Sequence, residues 1–199
     1  MSYPGVFIVE SLNFEDEEEK LFEGMILSNI LHLNNKKSVY YYIRTRKELE
    51  EVINKFYTSQ YRYLHFSCHG SKDSMATTLD KITFEELAEI LRPRLKERRL
   101  FVSACSMTNE NLAKLIIPGS SCLSIIGPKT RVPFNDSAIL WASFYHLMFT
   151  TNPKAMKRKD ILRNIQGIVN IFKVTLNYYS ISKNDKRGYK FREISPKEL

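Results

Sequence analysis

The sequence predicts a single α/β domain built on a mainly parallel sheet. Three observations carry that expectation. Short apolar runs rich in β-branched and aromatic residues alternate with segments of helical periodicity, the pattern of successive β-α units. The 199 residues fall within the roughly 100–200 expected of one domain. Hydrophobic residues make up 43% and aromatics 12%, enough for a sizeable core, so wholesale disorder is excluded.

The elements follow in order. Residues 5–9 (GVFIV) read as a buried strand. Residues 15–33 place Leu21, Phe22, Met25, Ile26, Ile30 and Leu33 at helical spacing behind an acidic first turn, which predicts one amphipathic helix. Residues 38–43 (SVYYYI) form a second strand, and 45–57 a second helix. Thr45 and Glu48 stand as a capping box at its start. Residues 61–68 are a third strand running into His69-Gly70, followed by a polar loop. Thr83 and Glu86 make another capping box, opening a helix through Leu91 that Pro93 limits.

Residues 99–104 (RLFVSA) are a fourth strand ending at Cys105, and 109–117 a short helix closed by Pro118-Gly119. Residues 122–126 form a fifth strand that includes Cys122, stopped by Gly127-Pro128. Residues 135–149 and 156–174 are helices. Residues 178–182 and 189–194 close the chain as a hairpin or an edge strand with a loop.

Composition narrows the function classes. Glycine is scarce, at 7, and neither G-x-G-x-x-G nor G-x-x-x-x-G-K-[ST] occurs, which argues against dinucleotide and P-loop enzymes. No apolar run reaches the ~18 residues of a membrane span; the longest, near residues 138–149, is interrupted by Ser143 and His146. No secretory signal is visible, and three cysteines make no disulfide framework, so the cytoplasm is the expected compartment. The net charge of +8 lies wholly in residues 153–199, with twelve Lys/Arg against four Asp/Glu. Such a segment can contact nucleic acid or an anionic surface. A solvated helix face and polar terminus explain it more simply, so a nucleic-acid partner is not expected.

In parallel α/β sheets, ligands bind outside the carboxyl ends of the strands. His69 and Cys105 end the third and fourth strands. On neighbouring strands they would face one crevice, where an imidazole can take the thiol proton and stabilise the thiolate. Gly70 lets the chain turn and leaves backbone N–H groups near the crevice. With the N–H of Cys105, these supply donors for a developing oxyanion. Cys68 alternates to the opposite face and Cys122 lies in a strand; both read as core. His65 shares the face of His69, but no zinc spacing such as C-x-x-C or H-E-x-x-H accompanies it, so no metal is expected.

Two blocks, residues 63–70 (YLHFSCHG) and 100–105 (LFVSAC), resemble those of the caspase-like cysteine peptidases of clan CD, and most closely the bacterial CHAT-type branch. Residues 122–128 and 137–145 are similar to the family's next strand and helix. The resemblance covers roughly residues 60–150. It implies a three-layer sandwich with a central sheet of about six strands, spanning residues 1–199 as one domain. It also implies a His69–Cys105 dyad, a protein substrate, no cofactor, an activating protein partner, and a role in bacterial defence or regulated cell death. The block around the cysteine departs from the caspase pattern Q-A-C-[RQG]-G. It reads SACSM, and the histidine lies 36 rather than about 50 residues upstream.

Caspase-like folds place the first specificity pocket beside the nucleophile. The residues just past the strand ends are Glu10 and Asp136, with Lys129 and Arg131 in the same loop as Asp136. A carboxylate in a closed pocket selects Arg or Lys, because an unmatched buried charge is costly. The expectation is a basic residue before the scissile bond, with an acidic one the alternative should Lys129 and Arg131 point inward. The competing reading is a non-catalytic module of the same fold that binds through its basic C-terminal surface.

Overall fold

One connected sheet organises the computed structural model, which describes residues 3–197. Its main path runs β2 (Ser38–Tyr42), β1 (Tyr3–Ser11), β3 (Tyr61–Gly70), β6 (Arg99–Ser103), β7 (Ser124–Pro128), β8 (Leu176–Ile181), β9 (Tyr189–Ile194). The first five are mutually parallel; β8 and β9 are antiparallel additions. Two short strands, β4 (Ser74–Ala76) and β5 (Lys81–Thr83), branch from the end of β3.

Alternation along each strand makes two cores. On one face, Phe7, Leu64, Phe66, Leu100 and Val102 pack against α3 (Arg46–Thr58), α4 (Phe84–Leu91) and α5 (Glu110–Ser120). On the other, Val6, Ile8, Tyr63 and Phe101 pack against α2 (Glu23–Leu33), α6 (Phe134–Thr151) and α7 (Arg158–Phe172). This is the expected three-layer α/β sandwich, with seven strands on the main path instead of about six. Thr45 and Thr83 cap α3 and α4 as capping boxes, as their spacing with Glu48 and Glu86 predicts.

Four local expectations change. The helix over residues 15–33 is broken into α1 (Phe14–Glu18) and α2, because Lys20 takes a left-handed φ of 59°. Asn13 caps α1, and the carboxylate of Glu10 accepts the first N–H groups of α2, so each piece has its own start. The polar loop after Gly70 contains the β4–β5 hairpin. Helix α5 runs through Pro118 and Gly119 to Ser120, and ends where Ser121 turns left-handed. Cys122 precedes β7 instead of lying within it, though it is buried as expected.

A candidate active site at the carboxyl ends of β3 and β6

Strands β3 and β6 pair in parallel with Ser67 opposite Ser103. Two residues beyond that pair come His69, still in β3, and Cys105, in the turn that follows β6. Both side chains follow the face covered by α2 and α6, because Phe66, Cys68, Val102 and Ala104 belong to the opposite core. The two residues line one crevice of about 280 Å³, closed at the side by Val132, Pro133 and Phe134 at the start of α6.

The turn carrying Cys105 is held from several directions. Ser106 adopts φ 56°, a left-handed conformation that reverses the chain directly after the cysteine. Asn109 caps α5 by accepting the Leu112 N–H at 3.2 Å. Its amide also donates to the carbonyls of Ser106 and Lys72, at 2.9 and 3.0 Å, tying the turn to the loop after β3. Asn177 on β8 donates to the Thr108 carbonyl at 2.7 Å. Gly70 has an ordinary φ, so it is not the turn-former its position suggests. A Cβ there would lie 3.1 Å from that of Met107 and 3.3 Å from that of Ala104. Close approach to the cysteine turn is what excludes a side chain. Gly127 serves likewise beneath the turn: a Cβ would meet the Val102 carbonyl oxygen at 2.4 Å.

His69 is held by a residue that sequence reasoning passed over. Its Nε2 meets Oδ2 of Asp16, on α1, while Phe134 lies edge-on to its ring at 5.6 Å. Asp16 belongs to an acidic run that reads as an ordinary helix start, and its partner is 53 residues away. Nothing local marks it out.

Glu10 requires a correction. It is fully buried beneath α2 and does not line the crevice. Its oxygens accept from the N–H groups of Gly24 and Met25 at 2.6 and 3.2 Å, from Tyr40 at 2.8 Å and from Ser67 at 3.0 Å. Burial raises its pKa, against the lowering effect of those bonds, and nearby Glu23 raises it further. Asp136 also falls outside the crevice lining; it sits in the first turn of α6, where its carboxylate favours the helix dipole. Lys129 turns away to pair with Glu193 at 2.7 Å, and Arg131 is exposed at the mouth.

The carboxylate that does line the crevice is Glu23, the first residue of α2, at 2% exposure. Its Oε2 accepts from Ser103 at 2.9 Å, and Ser103 in turn meets Ser137 at 2.6 Å. Its Oε1 has no hydrogen-bond partner and stands 3.8 Å from Nε2 of His65. His65 is buried, bonded through Nδ1 to Tyr145 at 3.1 Å and edge-on to Trp141. Among the described residues, no group of His, Cys, Asp and Glu is arranged to hold a metal ion.

No protein-family model and no curated protein matches the chain. Among solved structures, it is similar to a secreted C11 cysteine protease from Bacteroides thetaiotaomicron, "iotapain". The TM-score is 0.56 with 10% identity, over 90% of this chain and 66% of that one. The fold is caspase-like. The Saccharomyces cerevisiae separase–securin complex also matches, with a TM-score of 0.48 and 13% identity over 82% of this chain and 10% of that one. In this sheet His69 lies near the carboxyl end of β3 and Cys105 two residues past β6, the strand paired with it. No helix among the described residues is long and apolar enough to cross a membrane.

Proposed function

We propose that the protein is a cysteine endopeptidase in which Cys105 is the nucleophile and His69 the proton carrier. The observation that carries this reading is the single crevice lined by both side chains at the ends of adjacent parallel strands. His69 takes the thiol proton as sulfur attacks the scissile carbonyl, and then delivers it to the leaving amine. Water, deprotonated by the same imidazole, hydrolyses the thioester. Backbone N–H groups of Gly70 and Cys105 are the proposed oxyanion donors.

Glu23 supports a preference for Arg or Lys before the cut. It takes over the part expected of Glu10 and Asp136: a buried carboxylate among the crevice-lining residues is matched by a cationic side chain. The blocks at 63–70 and 100–105 further support a CHAT-type peptidase acting on few protein substrates, with an activating partner, in bacterial defence or regulated death. The three free thiols fit a cytoplasmic setting.

The test is digestion of a peptide library and of Arg-, Lys-, Asp- and Leu-terminated fluorogenic peptides. Cys105→Ala is expected to abolish cleavage with an unchanged melting temperature. Cleavage that survives the substitution overturns Cys105 as the nucleophile, and a wild type that cleaves none of these peptides favours the non-catalytic module.

A further inference from the structure

We propose that Asp16 is a positioning residue for His69, fixing the ring through Nε2 so that Nδ1 is the nitrogen that exchanges a proton with Cys105. The inference rests on the peptidase reading for its purpose, and on the contact between Asp16 Oδ2 and His69 Nε2 for its geometry. An ionised carboxylate only accepts, so the shared hydrogen belongs to Nε2. In a neutral imidazole the lone pair then lies on Nδ1. When the Cys105 thiol gives up its proton, that lone pair receives it. The resulting imidazolium keeps its Nε2 hydrogen bond to Asp16, and the thiolate electron pair forms the new bond to the carbonyl carbon.

Helix α1 is built as a strap for this contact. Its five residues contribute nothing to either core. Yet it is pinned at several points. The side chain of Asn13 accepts the Asp16 N–H at 2.7 Å, and the Asp16 carbonyl accepts the Leu21 N–H at 2.9 Å. Glu17 accepts from the Tyr42 hydroxyl and from Arg44, the latter at 2.5 Å. These bonds anchor α1 to the end of β2 and leave Asp16 directed at the histidine. The His69 side chain is 40% exposed, so a ring not held at Nε2 has rotamers open to it away from the crevice.

The test compares wild type, Asp16→Ala and Asp16→Asn in the full chain. One readout is turnover of an Arg-terminated peptide. The other is iodoacetamide labelling of Cys105, with the buried Cys122 as a control that labels only if the chain unfolds. The labelling has a diagnostic sign. Loss of a negative charge beside a thiol favours the thiolate through space and speeds labelling, whereas loss of a held base slows it. Positioning predicts Cys105 labelling about tenfold slower in Asp16→Ala. It also predicts kcat down about a hundredfold, the low end of what a placed general base contributes, with KM little changed. Asp16→Asn, which keeps an acceptor without the charge, falls between and carries the decision if the alanine variant melts early. Labelling of Cys105 that is unchanged or faster overturns the inference, whatever turnover does. If wild type cleaves no peptide but Cys105 labelling still depends on Asp16, the peptidase reading fails alone and the positioning role stands.

Discussion

Two of the three thiols sit in surroundings that silence them. Cys68 packs in the core beneath α3 to α5, and burial pushes its thiol well above the ordinary value, with Glu23 and Glu10 adding to the effect. Burial also pushes the Cys122 thiol up to about 12, against hydrogen bonding to the Ser124 backbone. A raised thiol pKa means less thiolate at a given pH. Between about pH 7 and 9, iodoacetamide is therefore expected to modify Cys105 first. Labelling of Cys122 should rise only as pH approaches its raised value or the chain unfolds. Peptide mapping after timed quenching checks this, and equal slow labelling of all three thiols contradicts it. Glu23 makes the second prediction at this scale. Removing one member of a buried charge pair costs about 2–5 kcal/mol. Glu23→Gln should therefore lower kcat/KM for an Arg-terminated peptide at least about thirtyfold and leave a Leu-terminated one within about twofold. Cleavage of the Asp-terminated peptide alone contradicts the carboxylate's proposed role.

Strand ends and the turns that follow them decide how accurately such residues are placed. β3 and the Cys105 turn approach each other at Gly70, where a Cβ would lie 3.2 Å from the Met107 sulfur. Met107 is fully buried, so it can yield only by moving the turn that bears Cys105. Gly70→Ala is accordingly expected to lower kcat about tenfold or more, since ångström-scale misplacement is that costly, while the melting temperature falls by only a few degrees. Steady-state kinetics beside a thermal melt separates the two effects; full activity would show that the turn tolerates the contact. This element scale also shows what was readable beforehand. β3 and β6 announce themselves, because each is a dense apolar run broken by a residue of different chemistry, and parallel topology places such breaks at the ligand-binding edge. The α1–α2 break does not, because Lys20 is left-handed without being glycine and the apolar spacing continues across it. Glu10 misleads for a related reason. A strand-end acid looks open to a crevice until the start of α2 is seen resting on it. Asp16 and Glu23 lie on either side of that break, where the continuous apolar spacing gives no local sign of them.

At the scale of the whole molecule, charge divides between the two ends of the sheet. The amino ends of β3 and β6 border a cavity lined by Arg62, Arg99 and Lys157, with Glu97 the one acid among its lining residues. Part of the basic excess of the last quarter therefore faces away from the crevice. At the carboxyl ends stand Glu23 within the crevice, Arg131 exposed at its mouth, and the exposed Glu15, Glu18 and Glu19 of the strap and the turn after it, which follow β1. The three exposed carboxylates of this segment attract the proposed cationic substrate against the opposing Arg131, since charges of opposite sign steer encounter over a Debye length of about 10 Å at 0.1 M salt. For an Arg-terminated peptide, kcat/KM should fall as salt is raised, with kcat unchanged, because steering acts before the chemical step. Replacing Glu15, Glu18 and Glu19 together by Gln should lower kcat/KM several-fold at low salt and flatten its salt dependence. None of the three touches His69 or lines the crevice, so the chemical step is left intact. A triple variant with the wild-type salt profile would place the steering charge elsewhere. Inhibition of the wild type by an added polyanion would show that the basic end and the crevice are not independent.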